Sequence, residues 1–329
     1  MSVRFQDEAF PILKEYLFYQ QTIRQKSPKT VDEYFLDLRT FFRFMKQYRR
    51  LVGSDVDFES IAIDDIDLPF LKKIDLNDAY EYMNYLQRER GNNASSRARK
   101  CSSLKGFFKF ITQKKHYLEK DPIEELEVPK RKKALPKYLT LEQSIELLNA
   151  VDGDNRERDY AIITLFLNCG LRVSELVSLD VHDVYEDHLR VLGKGNKERI
   201  VFFADGCREA IDDYLAVRNN EKVPDKDKDA LFISQKNCRF GVRGVQQMVE
   251  KKLKLAGLDA TRYSPHKLRH TAATLMLKNG VDTRALQEVL GHSNLNTTQI
   301  YTHLDNASLH EAAMANPIGR RKRTEIEKD

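Results

Sequence analysis

The chain has 329 residues, 55 Lys plus Arg against 50 Asp plus Glu, and a formal net charge of +5. At roughly 100–200 residues per domain this predicts two domains; no apolar run reaches the roughly 18 residues of a spanning helix, so a membrane segment is excluded. The opening MSVRFQDEAF carries charges where a secretory leader needs an apolar stretch, and the four cysteines include no C-x-x-C pair, so neither a zinc site nor a disulfide framework is expected. The expectation is a cytoplasmic protein that needs no metal and no cofactor.

The near balance of charge hides concentrated patches. Residues 51–81 carry nine acidic and two basic side chains, whereas residues 94–115 carry seven basic ones and no acid. Five more cations lie in 128–138 and four in RRKR at 320–323. Such clustering suits a binder of backbone phosphates, although each patch on its own also reads as a solvated face.

In chain order, residues 1–127 read as a helical unit. Phe10, Leu13, Leu17 and Phe18 recur at helical spacing. Ser27-Pro28 is a cap followed by a first-turn proline, and Val31, Phe35, Leu38, Phe41 or Phe42, and Met45 form the buried stripe after it. The acidic stretch from Asp55 to Asp67 shows no strong period and reads as a loop or short irregular insertion. Asp75 caps a further helix. Ser95–Gln113 is another, with Leu104, Phe107, Phe108 and Ile111 inward and its basic residues outward. The prediction is a bundle of four or five helices. Residues 128–137, lysine-rich and bracketed by prolines, read as a linker.

The second domain is expected over 138–317, with a basic, disordered tail at 318–329. Thr140 and Gln143 form a capping-box signature. An apolar helix then runs to a turn at Gly170, and a new helix follows. Residues 188–203 alternate on either side of Gly-Lys-Gly-Asn, which predicts a β-hairpin. Helices follow over Arg208–Arg218, Val242–Ala256, Lys267–Asn279 and Thr283–Leu290, with a short one around Tyr301. The fold class is mainly α with a small antiparallel sheet.

Four short segments hold residues suited to chemistry, and each is ordinary alone. Arg172 and Glu175 in GLRVSEL read as an i, i+3 salt bridge on one helix face. Lys194, at the hairpin tip, reads as a solvated turn lysine; a phosphate-binding Walker loop is excluded because GxxxxGK[ST] is missing. HKLRH puts His266 and Arg269 three apart, and LGHSNLNTTQIYTH holds His292 in a turn nine residues before Tyr301.

The order Arg172, Lys194, His266-x-x-Arg269, His292, Tyr301 resembles the tyrosine recombinase (phage integrase) family, and within it the Xer-type recombinases. The likeness extends to S-P-K-T-x-x-x-Y-x-x-D-L-x-x-F at 27–41, which is similar to the family's SAM-like core-binding domain. It implies a two-domain, C-shaped clamp and a DNA strand transferase that works without metal or ATP. Arg172 and Arg269 would clamp the phosphate, Tyr301 would be the nucleophile, and His266 would exchange a proton with it. His292 would hydrogen-bond a phosphate oxygen, Lys194 would protonate the leaving 5′ oxygen, and Glu175 would orient Arg172 or His292. The resemblance further implies a 3′-phosphotyrosyl intermediate, a Holliday junction, and a homo- or heterotetramer on two duplex sites, joined through a C-terminal helix. Chromosome dimer resolution and mobile-element integration or excision are both open. No arm-binding domain is expected ahead of the first helix, unlike the larger phage integrases. Lys29, Arg39, Arg97, Lys105 and Arg243 are candidates for phosphate or base contact. Two other readings stand beside this one: a type IB topoisomerase-like nicking and closing enzyme, and a DNA-binding protein without chemistry.

Overall fold

The computed structural model describes residues 7–53, 55–129, 137–193, 198–290, 310–311 and 314–318. The chain divides into two compact units, Met1–Ala134 and Leu135–Asp329. Among the described residues it is mostly helical, with one two-stranded antiparallel sheet.

The first unit contains α1 (Pro11–Thr22), α2 (Pro28–Tyr48), a 3₁₀ turn (Phe58–Ser60), α3 (Leu68–Lys72), α4 (Leu76–Arg88) and α5 (Ala94–Gln113). Local chemistry sets the helix starts. The Ser27 hydroxyl accepts from Thr30 N–H with Pro28 in the first turn, and Asp75 and Asp78 close a reciprocal capping box. The core is aromatic: Phe10 meets Phe42 edge-on at 4.9 Å, and Phe41 meets Tyr82 at 5.1 Å. Of the apolar stripe expected on α1, Leu13 and Leu17 are buried but Phe18 is exposed; the helix is packed along the Leu13, Tyr16, Leu17 line instead.

From Asp55 to Asp67 the chain is loop around one 3₁₀ turn, as the sequence predicts, yet Ile61, Ile63 and Ile66 from it are buried; α3 follows, and Leu71 and Ile74 are buried as well. Basic residues of α2 answer the loop's charge: Arg43 donates to Ile61 O and Glu59, and Lys46 to Ala62 O and Asp65, with both cations buried. The acid is therefore not all surplus: Glu59 and Asp65, though exposed, pair with buried cations of α2. Nor is α5 a bare cationic face. Its Arg99 and Lys100 reach the buried Asp37 of α2 at 2.5 and 3.1 Å, and Ser103 donates to the same carboxylate.

The second unit is built on α7 (Arg156–Cys169), preceded by α6 (Leu141–Asn149). Ile162, Ile163, Leu165, Phe166 and Leu167 of α7 are wholly buried, so this helix is apolar on every side and has neighbours all round. Among them are α9 (Asp205–Val217) and α11 (Pro265–Lys278). The remaining elements are α8 (Val173–Ser178), β1 (His188–Leu192), β2 (Glu198–Phe202), α10 (Val242–Leu255) and α12 (Thr283–Leu290). The hairpin pairs Leu189 with Val201 and Val191 with Arg199. Ile318, expected to open a disordered tail, is instead buried in this unit's core, and Asn316, also buried, donates to Leu167 O at 2.9 Å. An apolar side chain seated in the core holds the chain at this point. The helix expected around Tyr301 lies outside the described residues.

Candidate active site

Helix α7 ends where Gly170 turns left-handed, at φ +58°. A Cβ there would stand 2.7 Å from Leu290 Cδ2, so backbone angle and packing both demand glycine. The Gly170 turn delivers Arg172 to the N-cap of α8. Arg172 precedes the helix in extended conformation, instead of lying on the helix face as its spacing with Glu175 suggested. Its backbone N–H donates to Glu175 Oε2 at 2.8 Å and its guanidinium to Oε1 at 2.6 Å. The carboxylate thus takes the part of a capping-box partner.

Arg269 comes from α11 and is buried, with 5% of its surface exposed. One terminal nitrogen donates to Gly170 O and the other to Leu290 O, each at 2.5 Å. These carbonyls end α7 and α12, where unsatisfied oxygens and the helix dipole attract a cation. The guanidinium therefore ties together the turn leading to Arg172 and the end of the helix before the His292 segment. Burial, then the neighbouring Arg172 charge, push its pKa down to about 10 against the pull of Glu175. It stays cationic at neutral pH.

Glu175 is the shared counter-ion. Its side chain is 3% exposed and meets three arginines: Arg172, Arg269 at 3.7 Å, and Arg199 of β2, which donates to both carboxylate oxygens at 2.9 and 3.0 Å. Burial alone would raise its pKa. Hydrogen bonds from Arg199 and Arg172, with their charges, outweigh that and hold the carboxyl below its ordinary value. Arg199 was missed by sequence reasoning. The available signal was its place in the strand, since residues 199 and 201 share the inward face where an apolar side chain is expected.

His266 is exposed in the first turn of α11, one helical turn before Arg269, and so faces solvent at the edge of this cluster. The unassigned His270 on the same helix is half-buried. Burial, then Lys267 and His266, lower its pKa, so it is neutral at neutral pH. Lys194, His292 and Tyr301 lie outside the described residues. The structure thus brings together Arg172, Glu175 and Arg269, adds Arg199, and sets His266 beside them in sequence on α11.

Of the five candidate DNA contacts, Lys29 and Arg243 are exposed. The others have internal partners. Arg39 pairs with Glu8 at 2.6 Å, Arg97 donates to Asn92 O, and Lys105 donates to Glu124 O and Leu126 O at 2.7 and 2.8 Å. Lys105 closes off carbonyls after α5, which uses its donors within the unit. A group of Asp180, His182 and Asp183 has metal-compatible spacing, but Asp180 pairs with Arg239 and Asp183 with Arg190. Those guanidiniums already neutralise the carboxylates a cation would need.

Two sequence families match. The Phage integrase family covers residues 137–308, and the Phage integrase, N-terminal SAM-like domain covers residues 13–115. The chain is a tyrosine recombinase of the phage integrase family. Its relatives include tyrosine recombinase XerC of Caldanaerobacter subterraneus subsp. tengcongensis, 51% identical over 94% of this chain and 88% of that one. XerC of Vibrio cholerae is 41% identical over 71% of this chain and 76% of its own. Among solved structures, the XerH site-specific recombinase bound to difH substrate, a pre-cleavage complex, covers 92% of this recombinase and 84% of its own chain. It does so at 25% identity with a TM-score of 0.64. A lambda integrase dimer on a COC' core site shares the fold at 16% identity and a TM-score of 0.64, covering 89% and 98% of the two chains. No described helix of this recombinase is long and apolar enough to cross a membrane.

Proposed function

We propose that this recombinase cuts and rejoins duplex DNA at a specific site through a covalent 3′-phosphotyrosyl link on Tyr301, exchanging strands through a Holliday junction. The observation that carries the reading is the convergence of Arg172 and Arg269 on one buried carboxylate. A phosphodiester under attack gathers negative charge on its non-bridging oxygens. Guanidinium forks fixed in advance stabilise that charge without rearranging at the moment of reaction.

The Tyr301 oxygen attacks phosphorus as the bond to the 5′ oxygen breaks. The phenol proton passes to His266, whose exposed position on α11 leaves it open to a docked strand. Lys194 supplies a proton to the departing 5′ oxygen, and His292 hydrogen-bonds a phosphate oxygen. The bond energy is kept in the phosphotyrosyl ester, so a free 5′ hydroxyl can reverse the step and no nucleotide is consumed. Arginines carry the electrostatic task that a divalent metal carries in two-metal nucleases.

The identity to XerC proteins favours Xer-type exchange on the chromosome, in the cytoplasm, over mobile-element movement. The first unit would grip one face of the site and residues 128–137 would link it to the catalytic unit. Related structures, XerH bound to a palindromic difH substrate after cleavage and a lambda integrase tetramer bound to a Holliday junction, support such an assembly. Four copies, of one or two kinds, would be joined through the apolar segment after Tyr301.

A duplex with a nick beside the cleavage position traps the covalent complex, which is read on a denaturing gel. Wild type should form the adduct, and Tyr301→Phe should bind the same DNA and form none. No adduct from wild type on its own site would overturn the reading. Fast relaxation of any plasmid regardless of site would assign a topoisomerase instead.

A further inference from the structure

We propose that Asn316 is a positioning residue for strand cleavage: its amide fastens the chain beyond Tyr301 to the last turn of α7, beside the turn that delivers Arg172, and so holds nucleophile and phosphate clamp in register. The proposal rests on the strand-cleavage reading above.

The end of α7 sets the demand. The last carbonyls of an α-helix have no partner within it, and every residue of α7 from Arg158 to Cys169 is buried, so their donors must come from the protein. Asn316 answers two of them. Its Nδ2 donates to Leu167 O at 2.9 Å and to Asn168 O at 3.4 Å, and its Oδ1 accepts from Ile318 N–H at 3.1 Å. The residue is 0% exposed, with both polar atoms of its side chain in use. An amide is costly to bury unless it is bonded, and an apolar side chain could fill the same space. The bonds are what this residue adds.

Its place in the chain gives those bonds a further consequence. Asn316 lies after Tyr301, and Leu290 lies before His292. Leu290 is fastened to the same place: its carbonyl shares the Arg269 guanidinium with Gly170 O, and its Cδ2 packs against Gly170. Ala315 packs against the cluster of Met276, Leu286, Val289 and Leu290, and Ile318 sits in the core of the unit. The stretch 291–315, which contains His292 and Tyr301, is therefore fastened at both ends to the C-terminal end of α7. Closing a segment into a loop restricts where its middle can go. The same end of α7 leads through Gly170 to Arg172, so one amide ties the loop of the nucleophile to the clamp it must meet. This clasp draws on no donor of Arg172 and leaves the bonds of Arg269 as they are.

The test is single-turnover formation of the covalent complex by the full-length protein on the nicked duplex, with rate constant and amplitude read separately. Rejoining is then measured after adding a strand with a 5′ hydroxyl. Asn316→Asp keeps the size of the side chain and the acceptor for Ile318 N–H but removes both donations. It should slow cleavage and rejoining by the same factor, about 10–100-fold, the range for a misplacement of roughly 1 Å, with amplitude and DNA affinity nearly unchanged. Asn316→Ala, which puts no charge beside the carbonyls, should show the same loss. Tyr214→Phe is the comparator: it takes the hydroxyl partner from the buried Ile233 N–H of the same unit, so it should lower Tm and leave both rate constants alone. Wild-type rate constants in Asn316→Asp and Asn316→Ala would overturn the proposal. So would a loss confined to amplitude, or one that Tyr214→Phe reproduces at an equal fall in Tm, since either makes Asn316 a stabilising cap only. Wild type on the same duplex keeps the two readings apart: no wild-type adduct sinks strand cleavage itself, whereas a failure of this proposal leaves that adduct intact.

Discussion

Gly170→Ala is the sharpest probe of how the fold builds its site. The new Cβ sits at a φ of +58°, where a non-glycine residue loses roughly 1–2 kcal/mol. It also stands 2.7 Å from Leu290 Cδ2, and Leu290 is packed with Met276, Leu286 and Val289, so it cannot simply swing away. Overpacking of this kind adds about 1–3 kcal/mol. The sum, on the order of 2–5 kcal/mol, corresponds to a fall in Tm of roughly 10 °C for a unit of this size. Function should suffer as well, because Gly170 and Leu290 supply the two carbonyls that hold Arg269. A displacement of about 1 Å there can cost on the order of 10²-fold in rate. Calorimetry gives the Tm and the nicked-duplex assay gives the rate constant. The Leu290→Ala background separates the two contributions: the clash component of Gly170→Ala should vanish there, and the backbone component should persist. A Gly170→Ala protein with wild-type Tm and cleavage rate would refute the reasoning.

Glu175 makes a pH prediction. Its folded pKa lies below the ordinary glutamate value of 4.5, so its stabilising contribution is fully present above that value and is lost as pH falls through the lower folded pKa. Glu175→Gln should therefore be less stable than wild type at neutral pH, and the gap in denaturation midpoint should shrink on acidification below 4.5; a constant gap would refute the assignment. Lys105 and Lys29 should separate by salt dependence of DNA binding. Lys105→Ala removes donors to Glu124 O and Leu126 O, so it should destabilise the first unit and leave the slope of log K against log[salt] unchanged. If Lys29, which is exposed, contacts a phosphate, Lys29→Ala should reduce that slope by about 0.9 with no change in stability.

Which parts were legible follows from the range of the forces. The caps at Ser27, Asp75 and Thr140 form within one helical turn of chain, and each was readable from spacing. The hairpin and the helix ends from 242 to 290 carried the same local signals and lie within a few residues of expectation. What misled was charge. The acid of 55–67 reads as unpaired until Arg43 and Lys46 arrive from α2, and the cations of α5 read as a phosphate surface until Asp37 arrives from the same helix. Ion pairing across elements leaves no periodic trace, because a paired and a solvated lysine look alike in sequence.

The sequence by itself determined the helical class, the hairpin, and the family through six residues in fixed order. It could do so because capping, periodicity and motif spacing are properties of neighbouring residues. Only the tertiary structure decided which charges remain for a ligand. Glu175 pairs with Arg172 three residues away, but its bonds to Arg199 and its approach to Arg269 span 24 and 94 positions of the chain. Coulomb forces act through space and not along the backbone, so the partner that holds the carboxylate of an active site is known only once the fold has closed around it.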